Sequence, residues 1–190
     1  MRTQLLIIAA LLAPPMAQSE PTHVSSGPER ARLVELYTSE GCHSCPSADA
    51  WLSKLKNDDR LWDSVVPVAF HVDYWDYIGW KDRFASPDFT RRQRKHAEVG
   101  NVRSVYTPGF VVAGAEWREW FQRQPLPAPS GQPGKLNATI DGTRVQITFE
   151  SDDATPGPLQ VSVARLVFEQ ETEVSAGENY GKTLHHDFVV

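Results

Sequence analysis

The feature that most constrains this chain is a pair of cysteines, Cys42 and Cys45, the only two among 190 residues. A strand-like run, RLVELY at 32–37, precedes the pair, and Pro46 follows at a position that suits the first turn of a helix. Apolar residues then recur at helical spacing, which predicts a helix over 45–56. The sequence therefore places a C-x-x-C pair between a strand and a helix.

This pair is better explained by reactivity than by a structural role. A disulfide between residues so close in sequence closes almost no loop, so it should stabilise the fold little. A thiolate attacks disulfides, and a helix N-terminus favours nearby negative charge. We therefore expect Cys42 to be an exposed nucleophile and Cys45 the resolving thiol. The Glu40 carboxylate opposes ionisation of the thiol, whereas His43 favours it when protonated.

The N-terminus has the pattern of a secretory signal peptide. Arg2 precedes an apolar run at 5–12, and the small residues Ala17 and Ser19 follow. The run is too short for a membrane span, which needs about 20 apolar residues. We expect residues 1–19 to be removed and the protein to be exported to the periplasm or secreted, where disulfides persist, with no stable membrane insertion afterwards. The net charge of -5 gives no reason to expect nucleic acid as a partner.

The first part of the mature chain alternates strands and helices. Residues 20–30 are predicted to be a flexible lead-in, and 65–72 and 110–114 to be strands. A helix should begin at Ser86-Pro87-Asp88 and run to about residue 98, because Ser suits the cap, Pro the first turn and an acid the positive helix end. A short helix is expected over 115–122.

The composition changes after a Pro- and Gly-rich stretch at 125–134, which predicts a linker. Beyond it, strands are predicted at 136–140, 144–150, 159–168 and 183–190. Turns are predicted at Asp141-Gly142 and at 155–158. The last strand-like run is still in progress at Val190, so we expect that the final strand is missing or truncated.

Several polar residues lie close in sequence to the predicted ends of these strands. Glu35 interrupts an apolar strand just before the cysteines, where a buried acid could exchange a proton with Cys45. His71 and Asp73 end the second strand, as substrate-site residues or as residues that order the loop by hydrogen bonds. Four aromatic residues follow, as core or as a ligand surface: Tyr74, Trp75, Tyr77 and Trp80. His185 and His186 are predicted to be an exposed strand pair and not a metal site.

Three long segments carry a family resemblance: VELYTSEGCHSCPSADAWL, AFHVDYWDYIGWKDRFASPDFTRRQRKHA and VYTPGFVVAG. Together they resemble a bacterial family of secreted thioredoxin-like proteins of unknown function. The resemblance covers residues 33–114 and resumes in GENYGKTLHHDFVV. Members usually have a longer stretch before the β region and continue past the final Val-Val.

The resemblance implies an α/β fold. Residues 31–124 would form a thioredoxin-like domain with an inserted helical segment, and 135–190 a smaller β-rich C-terminal region. It also implies that Pro108 is a cis-proline beside the dithiol, which an X-Pro bond permits at low cost. Thr107 and Trp75 are then candidate substrate-binding residues together with His71 and Asp73.

The sequence favours thiol–disulfide exchange with protein thiols or disulfides and without a cofactor. The direction of electron flow, the substrate and the oligomeric state stay open. One alternative is a Cu(I) or similar thiophilic metal site made of both thiolates and His71 or His43. Another is an interaction module in which the aromatic segment binds a partner and the dithiol is vestigial.

Overall fold

A computed structural model describes residues 20–27, 29–122, 124–129, 131–151 and 158–190. The predicted signal peptide, residues 1–19, and most of the predicted turn at 155–158 lie outside this part of the chain. The described residues form a mixed α/β fold with two α-helices and three sheets. None of these helices has the length and apolar character needed to cross a membrane.

Two helices and nine strands are present in the described ranges. The helices are α1 (Cys45–Ser53) and α2 (Pro87–Glu98). The strands are β1 (Thr22–Ser25), β2 (Arg32–Thr38), β3 (Val65–His71), β4 (Gly109–Val112), β5 (Ala115–Glu116), β6 (Gly134–Asp141), β7 (Arg144–Ser151), β8 (Gln170–Glu173) and β9 (Thr183–His186). Short 3-10 turns occupy Lys54–Asn57, Asp76–Ile78 and Glu119–Gln122.

The central sheet has the order β3-β2-β4-β5, with β2 parallel to β3 and antiparallel to β4. Pro67 has no N–H to donate, and β3 tolerates it because β3 is an edge strand of this sheet. The end of the chain returns to the same edge. Ala69 N donates to Phe188 O at 2.8 Å, and Val190 N donates to Ala69 O at 3.1 Å.

The two faces of this sheet carry separate apolar clusters, because successive strand residues point to opposite sides. On the first face, Val34 and Leu36 pack with Leu52 of α1. On the second, Tyr37 and Phe70 belong to a cluster against which Phe89 of α2 packs. The sheet therefore separates the apolar cluster next to α1 from the apolar cluster next to α2.

Most predicted elements are present near their predicted bounds. The predicted helix over 45–56 is α1 with the 3-10 turn that follows it. The start of α2 is also as predicted, with Ser86 Oγ accepting a hydrogen bond from Asp88 N at 3.2 Å. The turn at Asp141-Gly142 connects β6 to β7.

Three predictions differ from the structure. The expected helix over 115–122 is β5 followed by a 3-10 turn, because Ala113 and Gly114 have positive φ angles and turn the chain back, pairing Glu116 with Val111. Residues 158–166 form no strand, and Val167 makes only an isolated bridge with Val189. The lead-in contains β1, which pairs with β6 in the sheet β1-β6-β7.

The final segment packs against the first part of the chain. Strands β8 and β9 form a two-stranded sheet, β9 contacts α1, and Phe188 is fully buried in the α1-side core. The domain boundaries at 124 and 135 stay a prediction. The contacts place β9 directly beside the helix that begins at Cys45.

Candidate functional site

Cys42 and Cys45 form a disulfide at the N-terminal end of α1, with their Cα atoms 5.4 Å apart. Cys42 lies in the loop after β2, and Cys45 is the first residue of the helix. Pro46 occupies the first turn, where its missing N–H removes no hydrogen bond. The predicted position of the pair between strand and helix is confirmed.

The prediction that Cys42 is exposed is wrong, since only 2% of its surface is accessible. The loop between β8 and β9, residues 177–181, lies against the cysteine motif, and we call it the C-terminal loop. Asn179 Nδ2 donates to Glu40 O at 2.8 Å and to Cys42 O at 3.0 Å. The Glu178 carboxylate accepts from His43 N at 3.1 Å. His43 and Ser44 themselves remain exposed.

A pocket of about 310 Å³ lies between the start of α1 and the segment that leads into β4. The Thr107–Pro108 peptide bond is cis, as predicted. Trp75 Nε1 donates to Thr107 Oγ1 at 2.7 Å, so two predicted substrate-binding residues are joined. The pocket is lined by Ser44, Ser47, Tyr106, Thr107, Pro108, Arg118, Trp120 and Phe121.

Six lining residues were not predicted as site residues from the sequence: Ser44, Ser47, Tyr106, Arg118, Trp120 and Phe121. Tyr106 donates to Glu116 at 2.8 Å, and burial together with this carboxylate raises the pKa of Tyr106 to about 12, so it stays a neutral donor. Phe121 is 62% exposed. The available signal was the run Trp117-Arg118-Glu119-Trp120-Phe121, whose aromatic content exceeds what a surface helix needs.

Glu35 contacts α2, on the opposite face of the sheet from α1, which does not favour the expected proton exchange with Cys45. Its side chain lies on the α2 face of the sheet, whereas Cys45 belongs to α1 on the other face. Arg92 Nε and Nη2 donate to the two Glu35 oxygens at 2.7 and 3.0 Å, and this carboxylate raises the pKa of Arg92. Tyr37 OH donates to Glu35 at 2.8 Å. Burial raises the pKa of Tyr37 above its usual value, so the phenol stays protonated. The hydrogen bonds of Glu35 therefore indicate a structural role.

Asp73 orders the loop after β3. Its carboxylate accepts from Thr90 Oγ1 at 2.5 Å, and its N–H donates to the same oxygen at 3.2 Å, which ties the loop to α2. The aromatic residues nearby are also held in place. Trp80 Nε1 donates to Glu40 at 2.8 Å, and Tyr74 OH donates to Gln93 at 3.2 Å. These contacts favour the loop-ordering interpretation for Asp73 and the packing interpretation for Tyr74 and Trp80, whereas Tyr77 is 83% exposed.

His71 is fully buried and does not line the pocket. It belongs to a group of buried ionisable side chains behind the cysteine loop, which we call the α1-side cluster. Its members are Glu40, Asp49, His71, Asp82 and His186. The prediction that His186 is exposed is wrong, because β9 turns this side chain inward to 2% exposure while His185 faces outward.

Opposite charges within the α1-side cluster shift the pKa values of Glu40, Asp82 and His186 in favour of their charged forms. Burial opposes ionisation of Asp82, but the hydrogen bond with His71 Nδ1 at 2.7 Å, the charge of His71 and the backbone N–H groups of Glu40 and Phe84 together hold the pKa of Asp82 below its usual value. Burial also lowers the pKa of His186, yet Asp49 and Glu40 outweigh that effect and raise it to about 9. The Glu40 carboxylate, stabilised by His186 and Trp80 against the cost of burial, has a lowered pKa.

The thiolate metal site expected as an alternative lacks its third ligand. Among the described residues, the group of three side chains that could hold a metal ion consists of Asp49, His71 and His186, without either cysteine. His43 Nδ1 lies 3.4 Å from Glu178 O. The contacts of His71 and His43 are with Asp82 and Glu178, so nothing in the described residues favours either as a ligand beside the sulfur atoms.

Comparison with protein families matches residues 33–190 to a family described as "Protein of unknown function (DUF1223)". A solved structure is also similar: the X-ray crystal structure of protein AGR_C_4864 from Agrobacterium tumefaciens. It shares 31% sequence identity with a TM-score of 0.57, covering 84% of this chain and 70% of that one. Comparison with curated proteins gave no match.

Proposed function

The chain belongs to the DUF1223 family, and we propose that this member is a thiol–disulfide oxidoreductase with a thioredoxin-like dithiol site. The observation that carries the proposal is the Cys42–Cys45 disulfide at the start of α1, beside the pocket that contains Pro108. The N-terminal end of α1 holds the two cysteines together, and the neighbouring pocket has room for a segment of a partner protein. We also propose that the protein is exported, because the sequence pattern of residues 1–19 favours it.

The helix start supports thiolate chemistry at Cys42. The first backbone N–H groups of α1 have no partner within the helix, so they stabilise negative charge placed at this end. Cys45 is fully buried within the helix, which suits a resolving thiol that reacts only with its neighbour. His43 lies between the two cysteines and is exposed, where its imidazolium form would add to the same effect.

The proposed exchange is balanced between the protein and its partner. In the reduced protein, the Cys42 thiolate attacks one sulfur of a partner disulfide, forming a mixed disulfide and releasing one partner thiolate. The Cys45 thiolate then attacks Cys42 Sγ, which releases the second partner thiolate and leaves the Cys42–Cys45 disulfide. The partner gains two electrons and the protein loses two. The reverse sequence oxidises a partner dithiol.

The pocket is suited to an extended peptide. Trp120 and Phe121 offer apolar surface, and Arg118, which is paired with Glu116, adds polar N–H groups to the lining. Thr107, fixed by Trp75, is placed to present its backbone to a bound strand. Access to Cys42 requires that the C-terminal loop gives way, since Asn179 binds the carbonyl oxygens of Glu40 and of Cys42 itself.

A turnover assay tests the proposal. The mature chain is supplied with a disulfide-bonded peptide and a glutathione redox buffer, and the rate of peptide reduction is followed. We expect the wild-type rate to exceed the uncatalysed rate and the Cys42→Ser rate to equal it. Equilibration with the same buffers, followed by thiol trapping, gives the reduction potential and hence the favoured direction.

Matched variants separate chemistry from folding. His185→Asn changes an exposed side chain away from the pocket and should retain wild-type turnover. Phe121→Ala should raise KM for the peptide and leave the reduction potential unchanged, because it removes apolar contact area but no charge near the sulfurs. Full turnover by Cys42→Ser would reject the proposed function.

A further inference from the structure

The strongest unexplained feature is the α1-side cluster, which the proposed thiol chemistry does not use. It brings together one residue from α1, Asp49, one from the end of β3, His71, and one from the end of β9, His186. All three are buried, with exposed fractions of 6%, 0% and 2%. Each can offer one donor atom, and the three donor atoms lie within 4.8 Å of one another.

Glu40 and Asp49 lie within ion-pair distance of His186, so a metal ion must displace a ring proton there, but neither contact is a hydrogen bond. His71 Nε2 and both ring nitrogens of His186 are buried without a hydrogen bond. An unpaired buried polar atom destabilises the folded state, so such atoms are rare and call for a partner. His186 Nδ1 faces Asp49 Oδ1 at 3.9 Å, which leaves space between the two donors. Donors around a tetrahedral zinc ion are about 3.4 Å apart, so small side-chain rotations would close the site.

The surrounding contacts orient these donors in the way that metal sites require. His71 Nδ1 is bonded to Asp82, which directs Nε2 toward the centre of the group. His186 Nε2 lies 3.5 Å from Glu40 Oε1, on the side of the ring away from Asp49. The second Asp49 oxygen accepts from Thr38 Oγ1 at 2.9 Å. Metal-ligating histidines almost always have a carboxylate or carbonyl behind them, and here both do.

We propose that Asp49, His71 and His186 bind a divalent transition-metal ion of the Zn²⁺ class. Two imidazoles and one carboxylate suit Zn²⁺, Co²⁺ and Fe²⁺ and do not require a thiolate. The ion would join α1, β3 and β9, three segments far apart in sequence. The bound ion would therefore hold β9 against α1 behind the dithiol. This proposal does not depend on thiol exchange.

Cobalt titration of the oxidised full chain tests this site. The protein is unfolded with a chelator present, refolded without reductant so that the disulfide persists, and titrated with Co²⁺ and then Zn²⁺. We expect about one ion per chain, visible d–d absorption of a tetrahedral or five-coordinate ion, and its loss when Zn²⁺ displaces Co²⁺. No thiolate-to-cobalt charge-transfer band should appear, because both sulfur atoms are in the disulfide.

Three variants locate the ligands. His186→Gln and Asp49→Asn should weaken binding by about a hundredfold or more, whereas Asp82→Asn should weaken it by about 10- to 100-fold as an orienting residue. His185→Asn, on the same strand but outward-facing, should bind as the wild type does. Circular dichroism of each refolded variant checks the fold, and the near-isosteric Asp49→Asn decides the matter if His186→Gln does not fold.

The outcomes are separable from those of the exchange assay. Binding retained by the double variant Cys42→Ser/Cys45→Ser supports the site whatever the protein's redox activity. Absence of stoichiometric binding to the oxidised wild-type protein would overturn the proposal. Unchanged affinity in a folded Asp49→Asn variant, or a sulfur charge-transfer band, would overturn it as well.

Discussion

The central sheet carries a buried polar cluster on each face, and the two differ in how completely their atoms are paired. On one face, the α2-side cluster consists of Glu35, Tyr37, Arg92 and His96. The Glu35 carboxylate accepts three hydrogen bonds, one from Tyr37 and two from Arg92. His96 Nε2 also lies 3.4 Å from Glu35 Oε2. On the other face lies the α1-side cluster, where two histidines and Glu40 Oε1 have buried atoms without a hydrogen bond.

This difference separates a structural group from a functional candidate. A fully paired carboxylate gains nothing from a ligand, so the α2-side cluster is explained by the fold alone. The α1-side cluster has histidine nitrogens without a hydrogen bond directly behind the cysteine loop. Glu40, which accepts from Trp80, connects the cluster to that loop. We therefore expect substitutions on the α2 face to change stability and those on the α1 face to change ligand binding or thiol reactivity.

The largest expected effect is that of Arg92→Met. It leaves the 3%-exposed Glu35 carboxylate without its cation. We expect the free energy of unfolding to fall by about 3 kcal/mol, the lower end of the range for breaking a buried pair, because Arg92 itself keeps contact with water. Urea unfolding followed by circular dichroism measures the change. The turnover of the folded variant should equal that of the wild type.

A double variant sharpens this test. Glu35→Gln/Arg92→Met removes the uncompensated charge and keeps an acceptor for the Tyr37 hydroxyl, so it should recover part of the lost stability. Loss of disulfide exchange in a folded Arg92→Met protein would break the comparison, because the α2 face would then influence the dithiol.

Asn179→Ala should have an intermediate effect on stability. Its buried amide serves the carbonyl oxygens of Glu40 and Cys42, so removal should cost about 2 kcal/mol. The variant should also be reduced faster by dithiothreitol, since the C-terminal loop no longer holds the motif. Thiol trapping over time measures this rate.

The control is Tyr180→Ala, which alters a 74%-exposed side chain in the same loop. It should leave the rate of reduction unchanged. An Asn179→Ala protein that is reduced at the wild-type rate would show that the C-terminal loop does not limit access to Cys42.

The smallest expected effect is that of Ser86→Ala, on the α2 side. The hydroxyl caps α2 by accepting from Asp88 N at 3.2 Å. Its loss should lower the free energy of unfolding by about 1 kcal/mol and leave the rate of disulfide reduction unchanged. Ser86→Thr, which keeps a capping oxygen, should restore most of the stability. A changed reduction rate in Ser86→Ala would argue against the separation of the two faces.

Local sequence signals predicted the elements that carry the cysteines. Helical spacing after Pro46 indicated α1, the Ser86-Pro87-Asp88 cap indicated α2, and β-type runs indicated β2 and β3. The alternating run at 159–163 was misleading. Its apolar residues Leu159, Val161 and Val163 are 61–71% exposed, and periodicity cannot say whether a partner strand exists.

The side-chain groupings could not be read from the sequence, because they depend on faces and on long-range contacts. Glu35 follows Val34 and precedes Leu36, and all three are buried, so alternation of polarity did not reveal that Glu35 faces away from α1. His186 joins His71 only because β9 returns to α1. Its inward position depends on the strand register of β8 and β9, which no local pattern sets.

The most direct test of the account is trapping of a mixed disulfide. Cys45→Ser leaves Cys42 without its resolving thiol, so incubation with a disulfide-bonded peptide should accumulate a covalent adduct at Cys42, identified by mass spectrometry and reversed by reductant. Cys42→Ser should form none, because the remaining Cys45 lies inside the first turn of α1, whereas Cys42 precedes the helix and is covered only by a loop that can give way. Adducts that form equally on both variants, or on neither, would contradict the assignment of Cys42 as the attacking thiol of a redox site.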